Sequence, residues 1–344
     1  MFCFPYSHDL TNPLKCVILY SGSRGRIHVM RFVPPRFAHL ESMSAIDVGR
    51  LTEDRARVIL EEIRWPDGPV CPHCGEKNAT RLQGKSLKTR DGLLQCNSCR
   101  KQFTVTVNTI MHGSHITLRQ WVQAFHSICS HKKGVSALQL KRNLGLHTYH
   151  SAWHLAHRIR LAMRNDPILQ GLTGDVEVDE TYVGGKPRDK GDNKRGRGTK
   201  KTPVLVLVER NGRAVAKPIE NVGGKTLRDA IRKMVSKASR IITDEFRSYI
   251  GIGEHFDGGH ATVNHSEDQF VNGDVYTNTA ESFFALLKRG VTGTFHHISK
   301  RHLGRYCDEF SFRWDHRRTT DGERTVAAIQ GMAGKRLLYS SMSG

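Results

Sequence analysis

No stretch of this chain is apolar over the roughly 18 residues that a membrane-crossing helix needs, and no obvious basic amphipathic helix is present. Neither spanning a membrane nor resting on one is expected. A signal peptide is also missing, and the eight cysteines, at positions 3, 16, 71, 74, 96, 99, 129 and 307, lack the spacing of a disulfide framework. The expected compartment is a reducing cytoplasm. Acidic side chains are scarce, 33 Asp and Glu against 53 Lys and Arg, giving a formal charge of +20 and a pI near 9.9. That excess is larger than solubility requires and points to a polyanionic partner, nucleic acid first. What is present suits a globular protein: 38% hydrophobic residues over 344 positions can fill one sizeable core and one or two small modules.

Regular periodicity is absent from the first 42 residues, which Phe4-Pro5, Asn12-Pro13 and Pro34-Pro35 interrupt. The expectation for 1–42 is a disordered leader or a misassigned start, with the functional chain beginning near Met43. Over 43–66 an N-terminal helix is predicted, capped by Thr52 and running to about Arg64. Residues 67–106 hold two C-x-x-C knuckles, Cys71/Cys74 and Cys96/Cys99, with 21 residues between them. Four thiolates at that spacing clamp a tetrahedral zinc ion from two sides, and a closed four-sulfur site leaves no open position for chemistry. This zinc is structural. His73 is read as a solvated knuckle residue, and Cys3, Cys16, Cys129 and Cys307 as ordinary thiols.

The stretch 107–166 turns helical. Leu118, Trp121, Val122 and Phe125 recur on one face behind a Thr117 cap, and Ser136 to Leu146 reads as a short helix ending at Gly145. A longer helix from Thr148 to Met163 follows, with Trp153, Ala156, Ile159 and Met163 inward and His150, His154, His157, Arg158, Arg160 and Arg164 on other faces. Helix, glycine turn and basic helix form a helix-turn-helix arrangement, which makes Arg158 and Arg160 candidate DNA contacts.

From 167 to 330 the pattern becomes mixed α/β, with 331–344 left as a tail. In DVEVDETYVGGK, Val176 and Val178 point to one face of a strand while Asp175, Glu177 and Asp179 point to the other, which must look into a polar cleft. Strands are also predicted at Pro203 to Val208, Ala214 to Ile219 and Arg240 to Asp244, with a helix over Thr226 to Lys237. Asp244 falls at a strand end, where ligands of open mixed sheets collect. A helix over 277–290 presents Glu281 and Lys288 two turns apart beside Asn278, and centres Phe283, Leu286 and Leu287 opposite. Two strand carboxylates and one helix carboxylate suit a pair of Mg²⁺ or Mn²⁺ ions and phosphoryl transfer. Next to the acidic strand, Lys186 to Lys201 carries eight basic residues against two acidic ones in a loop suited to phosphate contact. Lys194, Arg195, Arg197, Lys200 and Lys201 are its candidate DNA contacts.

The order of zinc ribbon, helical DNA-binding segment and Asp…Asp…Glu domain resembles the bacterial insertion-sequence DDE transposases that pair an N-terminal zinc ribbon with an ISXO-type, RNase H-like catalytic domain. The motifs that carry the resemblance are VDETYVGG, ITDEFRSY, NTAESFFALLKRGVTGTFHHIS and RHLGRYCDEFSFRW, over most of 45–330. Glu281 follows Asp244 by 37 positions and Lys288 follows Glu281 by seven, similar to the family's spacing. The resemblance implies Asp179, Asp244 and Glu281 as ligands of two Mg²⁺ or Mn²⁺ ions and Lys288 as a DNA contact near the scissile phosphate. The choice of Asp179 over Glu177 rests on it, and Asn278 keeps a minor claim as third residue. The implied function is cleavage of element ends and joining of the 3′-hydroxyl to target DNA, by a homo-oligomer when bound to DNA, in a nucleoid-associated cytoplasmic protein. The alternatives are a metal-dependent nuclease or resolvase on the same fold, and a non-catalytic DNA-binding regulator derived from such an enzyme.

Overall fold

The computed structural model describes residues 17–21, 27–31, 38–82, 91–164, 171–184, 201–263 and 275–343. Strands β1 (Val17–Ser21) and β2 (Ile27–Arg31) pair antiparallel, so the stretch read as lacking periodicity contains two paired strands, followed by the short α1 (Ala38–Glu41). Next come α2 (Ala45–Gly49) and α3 (Glu53–Arg64), where Thr52 Oγ1 accepts the Arg55 N–H as the N-terminal cap. A small antiparallel sheet of β3 (Ala79–Arg81), β4 (Leu94–Cys96) and β5 (Gln102–Phe103) carries the cysteine knuckles. Three helices follow: α4 (Leu118–Ser130), capped by Thr117, then α5 (Ala137–Leu144) and α6 (Tyr149–Ala162). Gly145 ends α5 at φ 64°, a left-handed cap that glycine adopts without steric cost, and Thr148 caps α6.

The rest builds the large sheet from β6 (Asp175–Val183), β7 (Thr202–Glu209), β8 (Ala214–Pro218), β9 (Arg240–Asp244) and β10 (His260–Val263), with α7 (Gly224–Met234) between β8 and β9. Helices α8 (Asn278–Gly290), α9 (Lys300–Asp315) and α10 (Asp321–Gln330) follow, and α11 (Ser340–Ser343) ends the chain. The strand order is β10-β9-β6-β7-β8, with β6, β7 and β8 antiparallel and β9 and β10 parallel to β6. This is the expected RNase H-like mixed sheet, with helices on both faces.

Strand β7 shows why the sheet is covered twice. Val204, Val206 and Val208 pack with Phe283 and Leu287 of α8 and Phe310 of α9, while Leu205 and Leu207 pack on the other side with Leu227 and Ile231 of α7. A continuous apolar strand needs a cover on each face. A separate core joins Ile59 and Leu60 of α3, Leu94 and Phe103 of the small sheet, Trp121 of α4, Leu140 of α5 and Ile159 of α6 to Val326 and Ile329 of α10. The zinc-ribbon and helical stretches thus form one packed unit, completed by the chain's C-terminal part. The described part of 331–344, the stretch read as a tail, is also integrated. Met332 lies in that core, the Ile110 N–H donates to Met332 O, and Lys335 Nζ donates to Ala162 O at the end of α6.

Candidate active site and metal centre

The four knuckle thiols converge: all Sγ atoms of Cys71, Cys74, Cys96 and Cys99 lie within 4.8 Å of one another. Cys71 and Cys99 are 3.7 Å apart and Cys74 and Cys96 3.6 Å, close to the roughly 3.8 Å edge of a tetrahedron with Zn–S bonds of about 2.3 Å. The Cys99 N–H, against the opposing effect of burial, holds the Cys96 thiol below its ordinary value, which favours the thiolate that binds metal. His73 is exposed, and Cys129 and Cys307 are buried thiols remote from the cluster in sequence. The donor set fits structural zinc.

The carboxylates of the large sheet gather where β6 and β9 separate. These parallel strands are in register from Asp175↔Arg240 to Glu177↔Ile242, so Asp179 and Asp244 each lie two residues past the last paired position and face the same side of the sheet. Both are half-buried. Asp244 Oδ1 accepts the Phe246 N–H at 3.1 Å, and Asp179 Oδ1 accepts the Glu180 N–H at 2.7 Å. Burial, followed by the negative charges of Glu180, Asp244 and Glu281, pushes the Asp179 carboxyl up to about 8. A carboxylate cluster that disfavours its own ionisation has the donor chemistry that a hard divalent cation relieves. Among the described residues, the four cysteines are the one group of three or more possible ligands whose donor atoms all lie within 4.8 Å of one another.

Glu177 faces the same side as Asp179 but does a different job. It is fully buried; its oxygens accept from Thr279 N at 2.9 Å, Ala280 N at 3.1 Å, Thr279 Oγ1 at 2.8 Å and Arg210 Nε at 3.1 Å. The first three bonds satisfy free amide and hydroxyl donors in the first turn of α8, and the negative charge suits that helix end. Arg210 also donates to Tyr276 O and packs on the Tyr276 ring at 3.9 Å, fixing the approach to α8. The expectation that the whole acidic face opens to a cleft is therefore corrected at Glu177, which anchors the helix carrying Glu281. Sequence reasoning missed Arg210, which reads as a charge beside the Asn211-Gly212 turn.

On α8, Asn278, Glu281 and Lys288 are exposed while Phe283 and Leu287 are buried, the division predicted for this helix. Lys201 is exposed at the start of β7, whereas Lys194, Arg195, Arg197 and Lys200 lie outside the described residues. Two expected DNA contacts are corrected. Arg160 is 2% exposed: its Nε donates to Glu309 Oε2 at 2.6 Å, and its guanidinium packs over Tyr306 at 4.0 Å. Arg158 is 7% exposed and donates to His112 O and Leu337 O. His157, expected on an outer face, is fully buried against Trp153, His302 and Tyr306, and burial with the neighbouring Arg160 pushes it down to about 2. What α6 leaves exposed is its first turn, Thr148 to Ser151.

Comparison with known proteins agrees with both halves. The family model of the transposase zinc-ribbon domain matches residues 51–102, and that of the ISXO2-like transposase domain matches residues 171–315. The chain is 29% identical over 276 residues to an uncharacterized protein in transposable element ISH50 of Halobacterium salinarum, covering 76% of this chain and 91% of that one. The matches give this chain a transposase zinc ribbon followed by an ISXO2-like transposase domain, the pairing seen in a family of insertion-sequence transposases. DNA is the partner such a family implies. No helix among the described residues is long and apolar enough to cross a membrane.

Proposed function

We propose that this transposase cleaves the ends of its element and joins the freed 3′-hydroxyl to target DNA, with Asp179, Asp244 and Glu281 holding two Mg²⁺ or Mn²⁺ ions. The observation that carries this reading is the placement of Asp179 and Asp244 at one level just past the last β6–β9 pair, where burial and then the charges of Glu180, Asp244 and Glu281 push the Asp179 carboxyl up to about 8. When bound, the ions would supply an activated attacking oxygen and stabilise the leaving one. The chain's own part is placement. Asp179 and Asp244 are set by adjacent parallel strands, and Glu281 by a helix whose first turn is tied to Glu177. Lys288, about 10 Å further along α8, is free to meet a phosphate next to the scissile one.

Recognition belongs to the other unit. The exposed first turn of α6 is the part of a helix-turn-helix that reaches base edges, and the 186–201 segment would contact phosphates without reading sequence. Two element ends must meet in one reaction, so a homo-oligomer on DNA is part of the proposal.

The test is a joining assay with the zinc-loaded chain, a DNA bearing an element end, and a plasmid target in Mg²⁺ or Mn²⁺. Joined products are expected. Cleaved ends that are never joined would favour a nuclease or resolvase, and binding without cleavage a regulator.

A further inference from the structure

The backbone ladder between β6 and β9 stops at Glu177↔Ile242, so no main-chain pairing holds these strands together at the level of Asp179 and Asp244. A side-chain bond takes over there. Glu180 alternates away from Asp179, onto the face where Val176 and Val178 pack beneath α7. At the end of that apolar face its Oε2 accepts the hydroxyl of Tyr249 at 2.7 Å. Tyr249 is 1% exposed and ends a short 3₁₀ turn, Arg247–Tyr249, that starts three residues past Asp244. The Tyr249 N–H donates to Phe246 O and the Phe246 N–H to the Asp244 carboxylate. The contacts close a circuit from Asp179 through Glu180 and Tyr249 back to Asp244, across the gap where the strands splay.

We propose that the Glu180–Tyr249 hydrogen bond is a positioning brace that sets the separation of Asp179 and Asp244, and hence divalent-metal affinity, while neither Glu180 nor Tyr249 touches the metal. This rests on the metal-dependent reading above. The phenol is kept as a donor, because burial and the Glu180 charge both hold its ionisation well above the usual range. An outer partner that orients metal-binding carboxylates typically changes affinity by about 10- to 100-fold.

The test is Mn²⁺ binding to the zinc-loaded full chain, followed by the paramagnetic resonance of free Mn²⁺, with melting temperature recorded in parallel. Tyr249→Phe and Glu180→Ala should each weaken Mn²⁺ binding about tenfold or more, and the double variant should be no weaker than Glu180→Ala alone, since Glu180→Ala already removes the bond that Tyr249→Phe cuts. Glu180→Gln keeps an oxygen for the phenol and should lose less than Glu180→Ala. In cleavage assays Tyr249→Phe should raise the apparent KM for Mn²⁺ while kcat at saturating Mn²⁺ changes little. If Glu180→Gln binds as poorly as Glu180→Ala and Tyr249→Phe binds like the parent, Glu180 is itself a ligand and the brace is overturned. A Tyr249→Phe chain that melts earlier but binds Mn²⁺ normally overturns it as well, leaving a role in folding only. Absence of Mn²⁺ binding in the parent would bring down the proposed function and the brace with it.

Discussion

Glu177 and Asp179 stand two residues apart on one face of β6, yet one is saturated with donors and the other is not. Asp179 therefore has a measurable signature. Its folded-state carboxyl sits near 8 against an ordinary 3.8, so the stability that protonation contributes is full below about pH 4 and is lost as pH rises through 8. Without Mg²⁺ or Mn²⁺, the zinc-loaded chain should melt at falling temperatures from pH 5 to 8. Asp179→Asn should flatten that slope. Added Mn²⁺ should raise the melting temperature more at pH 8 than at pH 6, because the cation competes with the proton. Alternation along VEVDETYVGGK makes the carboxylate face legible in the sequence; which carboxylate anchors a helix is not, since Thr279, Ala280 and Arg210 approach Glu177 from positions far along the chain.

Helix α6 marks the limit of reading elements one at a time. Its boundaries and Thr148 cap follow from local rules, but three of its polar residues, His157, Arg158 and Arg160, are inside. A helix covered on several sides shows no single apolar stripe, and its covers, α9 and the 332–339 segment, come from the far end of the chain. Arg160 and Arg313 flank Glu309, and against the opposing pull of burial they hold its carboxyl below the usual range. Arg313 also donates to His131 O just past α4, so this buried group ties the helical unit to the sheet unit. Arg160→Met should cost on the order of 3 kcal/mol of stability, read by denaturant unfolding, because it leaves a buried carboxylate partly uncompensated. The salt dependence of DNA binding should stay at the parental slope; a lost phosphate contact would lower it by about one.

For the whole molecule, the mixed sheet and the zinc ribbon were legible because each follows from short-range pattern: alternating or continuous apolar runs, and paired cysteines. The distribution of chain between cores was not. Helix α10 follows the sheet in sequence but packs with the zinc and helical unit, and β10 is a short edge strand of HATV with little pattern to reveal it. Because Cys71, Cys96 and Phe103 share a core with Trp65 and Trp121, zinc loss should spread beyond the ribbon. Cys71→Ser or Cys96→Ser should release zinc and expose α3 and α4 amides to hydrogen exchange, while those of β6, β7 and β9 stay protected. Equal zinc content in variant and parent would exclude the four-cysteine site.

The central claim, a DNA-joining site built from Asp179, Asp244 and Glu281, is tested most directly by assaying Asp179→Asn, Asp244→Asn and Glu281→Gln for element-end binding and strand joining in the same reactions. Each variant removes one charge at nearly constant shape, from the site proposed to hold two divalent cations, and leaves the proposed recognition unit untouched. The predicted result is end binding near the parental level with no joined product in Mg²⁺ or Mn²⁺ from any of the three. Joined product at the parental rate from any one of them would contradict the assignment.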